Sequence, residues 1–203
     1  MVGLEQATRR GGEPATAHRA FWWERARPVD AHVVPLRAVI FDLDSAMAEI
    51  DEDGDQVART GLIDVVMSLF VAGVWVGVVS TGRRAEVEPL VRELVGDGLV
   101  DTIVTIDDLP DCADSAADLY NLALWEFGIQ PDGAMAVVGS GTALRTAVDC
   151  GLATIVMSSG AAGGQDLGAA AAVLADYDGA DPLSASSCQR LHRLWWSASR
   201  QAA

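Results

Sequence analysis

The sequence contains no lysine, so every basic side chain other than histidine is an arginine. The 14 arginines stand against 29 aspartates and glutamates, which gives a formal net charge of −15 and an isoelectric point near 4.3. An acidic surface is repelled by the phosphates of nucleic acids and by anionic lipid headgroups. We therefore expect neither nucleic acid nor a membrane surface among the partners of this chain.

Cysteines and long apolar runs are also scarce. The three cysteines, Cys112, Cys150 and Cys188, are widely spaced and form no CxxC pair, which is typical of reduced, buried thiols rather than of disulfides or metal ligands. No apolar run reaches the roughly 18–20 residues that a bilayer-spanning helix needs. The first residues include acids and arginines where a signal peptide has its apolar core. These features predict a cytoplasmic protein.

The apolar content is sufficient for one sizeable domain, because half of the 203 residues are hydrophobic. We predict an α/β domain over residues 34–178. It is preceded over residues 1–33 by an extension rich in Gly, Arg, Glu and Pro, a composition typical of flexible segments. Residues 179–203 form a C-terminal tail, in which residues 184–197 have the spacing of an amphipathic helix.

Two aromatic segments lie outside the predicted domain. They are Phe21-Trp22-Trp23 in the extension and Leu194-Trp195-Trp196 in the tail. Exposed aromatic side chains often contact partner proteins, so both segments are candidate protein-docking surfaces. The alternative is that they pack on the flank of the domain itself. In the tail helix, Leu191, Leu194 and Trp195 are expected to lie on one side.

The most informative stretch is residues 38–44, an apolar run that ends in two acids. A run rich in Val, Ile and Phe predicts a strand that is buried on both faces. Side chains alternate along a strand, so Asp42 and Asp44 should point the same way while Leu43 turns inward. Like charges this close are tolerated mainly when a cation or a shared proton lies between them. The pattern favours a metal site with a nucleophilic carboxylate, and the alternative is a solvated acidic turn.

Strands and helices alternate along the rest of the domain, which predicts βαβ units and a Rossmann-like parallel sheet in a three-layer α/β/α arrangement. The predicted strands are residues 36–41, 74–79, 102–105, 134–138 and 153–157, with a short edge strand at 173–175. The predicted helices of the domain are residues 57–71, 85–95, 115–127 and 143–150.

Three strand ends carry polar or glycine-containing segments. They are Phe41-Asp42-Leu43-Asp44, Val78-Val79-Ser80 followed by Thr81-Gly82, and Val138-Gly139-Ser140. This ordered set resembles the haloacid-dehalogenase (HAD) superfamily of phosphohydrolases, and it looks most like the β-phosphoglucomutase-like branch. The resemblance implies an Mg²⁺-dependent reaction in which Asp42 attacks phosphorus to form an aspartyl-phosphate and Asp44 acts as general acid and then base. It also implies that Ser80, Thr81 and Gly82 hold the phosphoryl group.

The chain departs from the family pattern at three positions. The family's lysine falls at Asp114, its last metal-binding aspartate falls at Gly139, and the usual Gly-Thr after the second aspartate is Ser45-Ala46. Asp114 can in principle join Asp42 and Asp44 as a metal ligand, but it does not replace the missing positive charge. Arg83 or Arg84 would have to supply that charge, and the alternative is that both are ordinary surface residues of a first helical turn.

The branch usually carries a helical cap of several tens of residues between its first two loops. Here residues 45–75 have room for one turn and one helix, so we expect no large cap domain and an open site. Two functions follow from the resemblance. One is a phosphatase of a small phosphorylated metabolite that acts through Asp42. The other is a catalytically degenerate HAD-fold pseudoenzyme that serves as a binding or interaction protein.

Overall fold

The structure is a computed structural model, and it describes residues 33–50, 54, 56–110, 116–158 and 166–202, with side chains up to residue 199. Several predictions concern residues outside these ranges. They are those for the extension up to residue 32, including Phe21-Trp22-Trp23, and those for Cys112 and Asp114.

A six-stranded parallel sheet forms the centre of the fold, in the order β5-β4-β1-β6-β7-β8. A separate antiparallel hairpin pairs β2 with β3. The strands are β1 Ala38–Asp42, β2 Ala48–Ile50, β3 Gln56–Ala58, β4 Trp75–Ser80, β5 Thr102–Thr105, β6 Ala134–Val138, β7 Ala153–Met157 and β8 Ala172–Leu174.

Among the described residues, five α-helices cover the two faces of the sheet. Helices α1, α2 and α5 supply the apolar core on one face, and α3 and α4 supply it on the other. Their bounds are α1 Leu62–Val71, α2 Arg84–Val95, α3 Ala116–Phe127, α4 Gly141–Asp149 and α5 Ala185–Ala202. The predicted three-layer α/β/α, Rossmann-like parallel sheet is confirmed.

Strand β1 lies in the middle of the sheet, between β4 and β6. Val39, Ile40 and Phe41 are fully buried, and each contributes about 2 kcal/mol by removing its side chain from water. Val39 and Phe41 face the core beneath α1 and α2, while Ile40 faces the core beneath α3 and α4. The double burial predicted from the apolar run is therefore present, and it fixes the position of the acids at the end of β1.

The predicted helix over residues 57–71 is wrong in its first part. The chain forms β3 there, and α1 begins only at Leu62. Two features interrupt the helical pattern: the backbone N–H of Arg59 pairs with the carbonyl of Met47 across the hairpin, and Gly61 has a φ of 80°. A left-handed residue ends regular structure and is tolerated there because it is glycine. The segment between β1 and β4 thus holds a turn, a hairpin and one helix.

The tail helix exists but presents a different face from the one predicted. Leu194 is 61% exposed, whereas Leu191, Trp195 and Trp196 pack against the core. The indole N–H of Trp195 donates to the carbonyl of Ala169 at 2.9 Å. The tail tryptophans therefore pack on the domain's own flank, which is one of the two alternatives that the sequence left open. No described helix combines the length and apolar character needed to cross a membrane.

Candidate active site

The three polar strand ends predicted from the sequence meet in one open cleft. Because β1, β4 and β6 are parallel neighbours, their carboxyl ends lie at the same edge of the sheet, which is where open α/β sheets bind ligands. The cleft has a volume of about 160 Å³. Its polar lining comes from Asp42, Asp44, Ser45, Ser80, Thr81, Tyr120 and Ser140.

Asp42 is the last residue of β1 and is half-buried. Burial raises the pKa of its carboxyl above the ordinary value, and the nearby charge of Asp44 acts in the same direction. Hydrogen bonds from the Ser45 hydroxyl and from the backbone N–H groups of Ser45 and Asp44 act in the opposite direction without cancelling the increase. None of the described residues that line the cleft is basic. Asp42 is therefore held in place by donors while its charge stays uncompensated.

Asp44 lies in a π-helical turn, Leu43–Met47, that directly follows β1. Leu43 is buried, and Asp44 is exposed and lines the same cleft as Asp42. The Ser80 hydroxyl lies 3.3 and 3.5 Å from the two carboxylate oxygens of Asp44. These are long hydrogen bonds, as is common at catalytic groups before a substrate is bound. Asp44 is thus positioned to exchange a proton with a molecule in the cleft.

Ser80 ends β4, is only 2% exposed and accepts a hydrogen bond from the backbone N–H of Gly82 at 3.0 Å. The predicted phosphate-binding segment Ser80, Thr81 and Gly82 therefore folds back on itself at the start of the loop to α2. Thr81 is exposed and lines the cleft. The backbone N–H of Arg84, in the first turn of α2, donates to Asp107 at 2.9 Å. This helix start is already occupied by an acid of the protein itself.

Ser45 lies where the loop after β1 meets the loop after β6. Its hydroxyl accepts a hydrogen bond from the backbone N–H of Gly139 at 2.9 Å and donates to Asp42. A Cβ atom on Gly139 would lie 2.1 Å from the carbonyl oxygen of Ser45 and 2.7 Å from its Cβ. Non-bonded atoms do not approach so closely, so only glycine fits beside this turn. Ser45 therefore occupies the space into which a metal-binding side chain at position 139 would project.

Arg83 and Arg84 do not bring positive charge into the cleft. The Arg84 guanidinium donates to Asp108 at 2.6 Å, to Glu88 at 2.6 Å and to the carbonyl of Ile103 at 2.8 Å. Arg83 is 76% exposed at its side chain and lies 3.7 Å from Asp107. The alternative that both are structural or surface residues of the first turn of α2 fits these contacts.

The described residues offer two carboxylates, Asp42 and Asp44, to a metal ion. Within the described ranges, no three His, Cys, Asp or Glu side chains are close enough to hold a metal together, and Asp114 lies outside those ranges. Mg²⁺ is commonly held by one or two carboxylates, waters and the phosphate of a substrate. The donor set therefore fits an Mg²⁺ ion that arrives with a phosphorylated substrate, and it does not fit a preformed cage of protein ligands.

Sequence reasoning missed two residues of the cleft, Ser45 and Tyr120. Tyr120 projects from α3, and burial together with the charge of Asp42 raises the pKa of its phenol. Its helical position gave no sign of this proximity. For Ser45 a signal was present, because the sequence has a glycine where the family has an acid and a serine where the family has a glycine. The structure shows that these two positions are in contact.

The likeness of this chain to known proteins lies in its structure and was not found at the level of sequence. No protein-family model matches the chain, and no curated protein sequence matches it. Among solved structures, CbbY from Rhodobacter sphaeroides in complex with phosphate superposes with a TM-score of 0.63 at 19% identity, covering 74% of this chain and 98% of that chain. The chain has the HAD-like fold.

Two further structures agree with this likeness. A β-phosphoglucomutase from Clostridium difficile has a TM-score of 0.63 at 8% identity, with 80% of this chain and 99% of that chain covered. A haloacid-dehalogenase-like family hydrolase from Streptococcus pneumoniae has a TM-score of 0.58 at 12% identity, with 70% and 94% covered. The resemblance to the β-phosphoglucomutase-like branch is thus confirmed as a likeness of the HAD-like fold.

Proposed function

We propose that this HAD-like protein is a phosphatase that hydrolyses a small phosphate monoester through a covalent intermediate on Asp42. The observation that carries the proposal is the convergence of Asp42, Asp44 and Ser80 on one open cleft at the carboxyl edge of the sheet. A pair of carboxylates in different surroundings is the usual arrangement for one nucleophile and one acid–base group. The phosphate-bound CbbY structure shows a phosphate complex on a similar fold and supports the proposal by analogy.

In the first step an oxygen of the Asp42 carboxylate attacks phosphorus, and the bond from phosphorus to the ester oxygen breaks. The leaving alkoxide takes a proton from the Asp44 carboxyl. In the second step Asp44 removes a proton from water, the resulting hydroxide displaces the Asp42 carboxylate from phosphorus, and inorganic phosphate leaves. The hydrogen bonds of Asp42 to Ser45 and to the backbone hold its attacking oxygen in a fixed direction.

Asp42, Asp44 and the substrate phosphate would hold an Mg²⁺ ion, which would supply positive charge to offset the charge of the transferred phosphoryl group. The protein's own contribution is positional: the π-helical turn fixes Asp44 relative to Asp42, and the Ser80 hydroxyl holds the Asp44 carboxylate. Thr81 also lines the cleft, and its hydroxyl can contact a phosphoryl oxygen. Within the described residues no large cap covers the cleft, so the phosphate end of the substrate can reach Asp42 directly.

The proposal is tested by measuring phosphate release from an aryl phosphate with Mg²⁺ and after chelation. Replacing Asp42→Asn should reduce the rate by about a thousandfold or more, because the amide does not form an acyl phosphate intermediate. Asp149→Asn is the matched control, since Asp149 is an exposed carboxylate at the far end of α4. Equal rates for the Asp42→Asn protein and the unaltered protein would overturn the proposal.

A second function, that of a degenerate HAD-fold binding protein, is favoured by one specific observation. The carbonyl of Ser45 fills the space beside Gly139, where a further metal ligand would project. None of the described residues lining the cleft supplies the positive charge that phosphoryl transfer usually requires. On this alternative, the cleft binds a phosphorylated molecule without turning it over. Tight binding of inorganic phosphate combined with no Asp42-dependent turnover would favour it. A protein partner at the aromatic segments and a cytoplasmic location remain predictions.

A further inference from the structure

Arg59 is a largely buried cation beside the candidate active site. It follows β3, and its backbone N–H donates to the carbonyl of Met47, so the hairpin fixes its position. Its side chain is only 11% exposed. The Nε and Nη1 atoms are buried and have no hydrogen-bond partner within the described part of the chain. A guanidinium group remains charged at every physiological pH and carries five donors.

Within the described residues, the ion pair between Arg59 and Glu49 compensates this charge only in part. Glu49 Oε2 lies 3.9 Å from Arg59 Nη1, which is too far for a hydrogen bond. The Glu49 side chain is 37% exposed and can therefore turn toward water. A buried guanidinium without hydrogen bonds is costly to maintain. A site that binds an anion recovers this cost when the anion is bound.

Arg59 lines a second cleft, which we call the hairpin cleft. It lies between the β2–β3 hairpin and the loop after β6, and its polar lining includes Asp44, Ser45, Glu49, Gln56 and Arg59, with Gly139 at one side. Its volume is about 480 Å³. Asp44 and Ser45 line both clefts. The two clefts therefore adjoin at the π-helical turn.

We propose that Arg59 binds a second anionic group of the substrate in the hairpin cleft, so that the substrate class is a small phosphate monoester with another phosphate or a carboxylate. This inference rests on the proposed function. The guanidinium forms paired hydrogen bonds to a phosphate or carboxylate, and the incoming group displaces Glu49. Arg59 then selects the substrate by the end opposite to the one that reacts.

The test compares propyl phosphate with propane-1,3-diol bisphosphate, which differ only in the second phosphate. Binding is measured by calorimetry with Mg²⁺ present, using Asp42→Asn protein so that neither compound is turned over. The bisphosphate should bind about tenfold or more tightly than the monophosphate, as expected for charge-assisted hydrogen bonds. A third compound with a carboxylate in place of the second phosphate shows which of the two anions the cleft prefers.

Two substitutions in that background should act in opposite directions. Arg59→Gln should abolish the preference for the bisphosphate and leave binding of propyl phosphate unchanged. Glu49→Gln should strengthen binding of the bisphosphate several-fold, because it removes the competing acid. Arg83→Gln is the control, since Arg83 is exposed and lies outside both clefts. If Arg59→Gln does not fold, Glu49→Gln still tests the proposal, because unchanged or weaker binding of the bisphosphate in that variant would contradict it.

Two outcomes would overturn the assignment of the second anionic group to Arg59. One is equal binding of the two compounds to the Asp42→Asn protein, and the other is a preference for the bisphosphate that survives Arg59→Gln in that background. These outcomes are separate from failure of the proposed function. A preference that depends on Arg59, found in a chain whose turnover does not depend on Asp42, would keep the anion site and reject the phosphatase. Turnover that depends on Asp42 without any such preference would keep the phosphatase and reject the anion site.

Discussion

Asp42, the last residue of β1, and Asp108, in the turn after β5, lie at the same edge of the sheet in opposite surroundings. Burial raises the pKa of Asp42, and none of the described residues lining its cleft is positively charged. Burial also acts to raise the pKa of Asp108, but hydrogen bonds from Arg84 and Thr105 outweigh it and lower the pKa below the ordinary value. The charge of Asp108 is thus compensated by Arg84, whereas that of Asp42 has no cation beside it among the described residues.

The same difference distinguishes two arginines near the site, one whose donors are used within the protein and one whose donors are free to bind a ligand. Arg84 ties the loop after β5 to α2 through Asp108, Glu88 and Ile103, and its donors are used within the protein. Arg59, at the other side of the site, has buried donors without partners among the described residues. A carboxylate and a guanidinium that are both poorly compensated in adjoining clefts are typical of a binding site rather than of a stabilising ion-pair network.

The largest expected effect comes from restoring an acid at position 139. Gly139→Asp should lower the free energy of unfolding by about 3 kcal/mol, because its Cβ would overlap the Ser45 carbonyl. The new carboxylate would also join two others that lack a cation. Chemical denaturation at neutral pH measures the change.

The double variant Ser45→Gly with Gly139→Asp tests the cause. Glycine at position 45 removes the Cβ contact and lets the π-helical turn move, so the double variant should be more stable than Gly139→Asp alone. Strict additivity of the two substitutions would show that the overlap with Ser45 is not what excludes a side chain at position 139.

A smaller effect of opposite sign is expected when the uncompensated charge is removed. Because the pKa of Asp42 is raised on folding, the folded protein is stabilised below the ordinary pKa of an aspartate and loses that contribution as the pH rises through the raised value. Asp42→Asn should therefore increase the free energy of unfolding at neutral pH by about 1 kcal/mol. The increase should shrink toward acid pH in parallel denaturation curves. Asp149→Asn, which alters an exposed carboxylate, should leave stability unchanged, and an equal gain there would contradict the assignment.

The sheet could be predicted from the sequence because its strands are short apolar runs that end in turn residues. Strands β5, β6 and β7 have the predicted bounds. The hairpin was not predicted, because residues 57–71 have helical spacing and the pairing of β3 depends on contacts with residues near Met47. The exposed position of Leu194 was missed for a related reason: the spacing defines a stripe on the helix, and packing against the sheet selects which side is buried.

The candidate site was predictable where it follows directly from strand ends. Asp42, Asp44, Ser80 and Thr81 lie in one cleft because parallel strands end at the same edge. Ser45 and Gly139 are 94 positions apart in the chain, and the residues around each of them do not indicate that they are in contact. Arg59 was missed for the same reason, since a single arginine near a hairpin is ordinary until its burial and its lack of partners are known.

The smallest predicted effect concerns Asp108, the carboxylate that is paired with Arg84. Arg84→Gln should lower the free energy of unfolding by about 1 kcal/mol at neutral pH, since the pair with Asp108 is partly exposed and screened by water. The pKa of Asp108 is lowered on folding, so this contribution is present above the ordinary aspartate pKa and is lost as the pH falls through the lowered value. The difference between Arg84→Gln and the parent protein should therefore narrow in acid and in high salt. Arg83→Gln should have almost no effect, because Arg83 is exposed and only loosely paired with Asp107. An equal loss of unfolding free energy in Arg84→Gln and Arg83→Gln would mean that the acidic loop attracts both arginines without a specific pair. The contrast between the paired Arg84 and the unpaired donors of Arg59 would then fail.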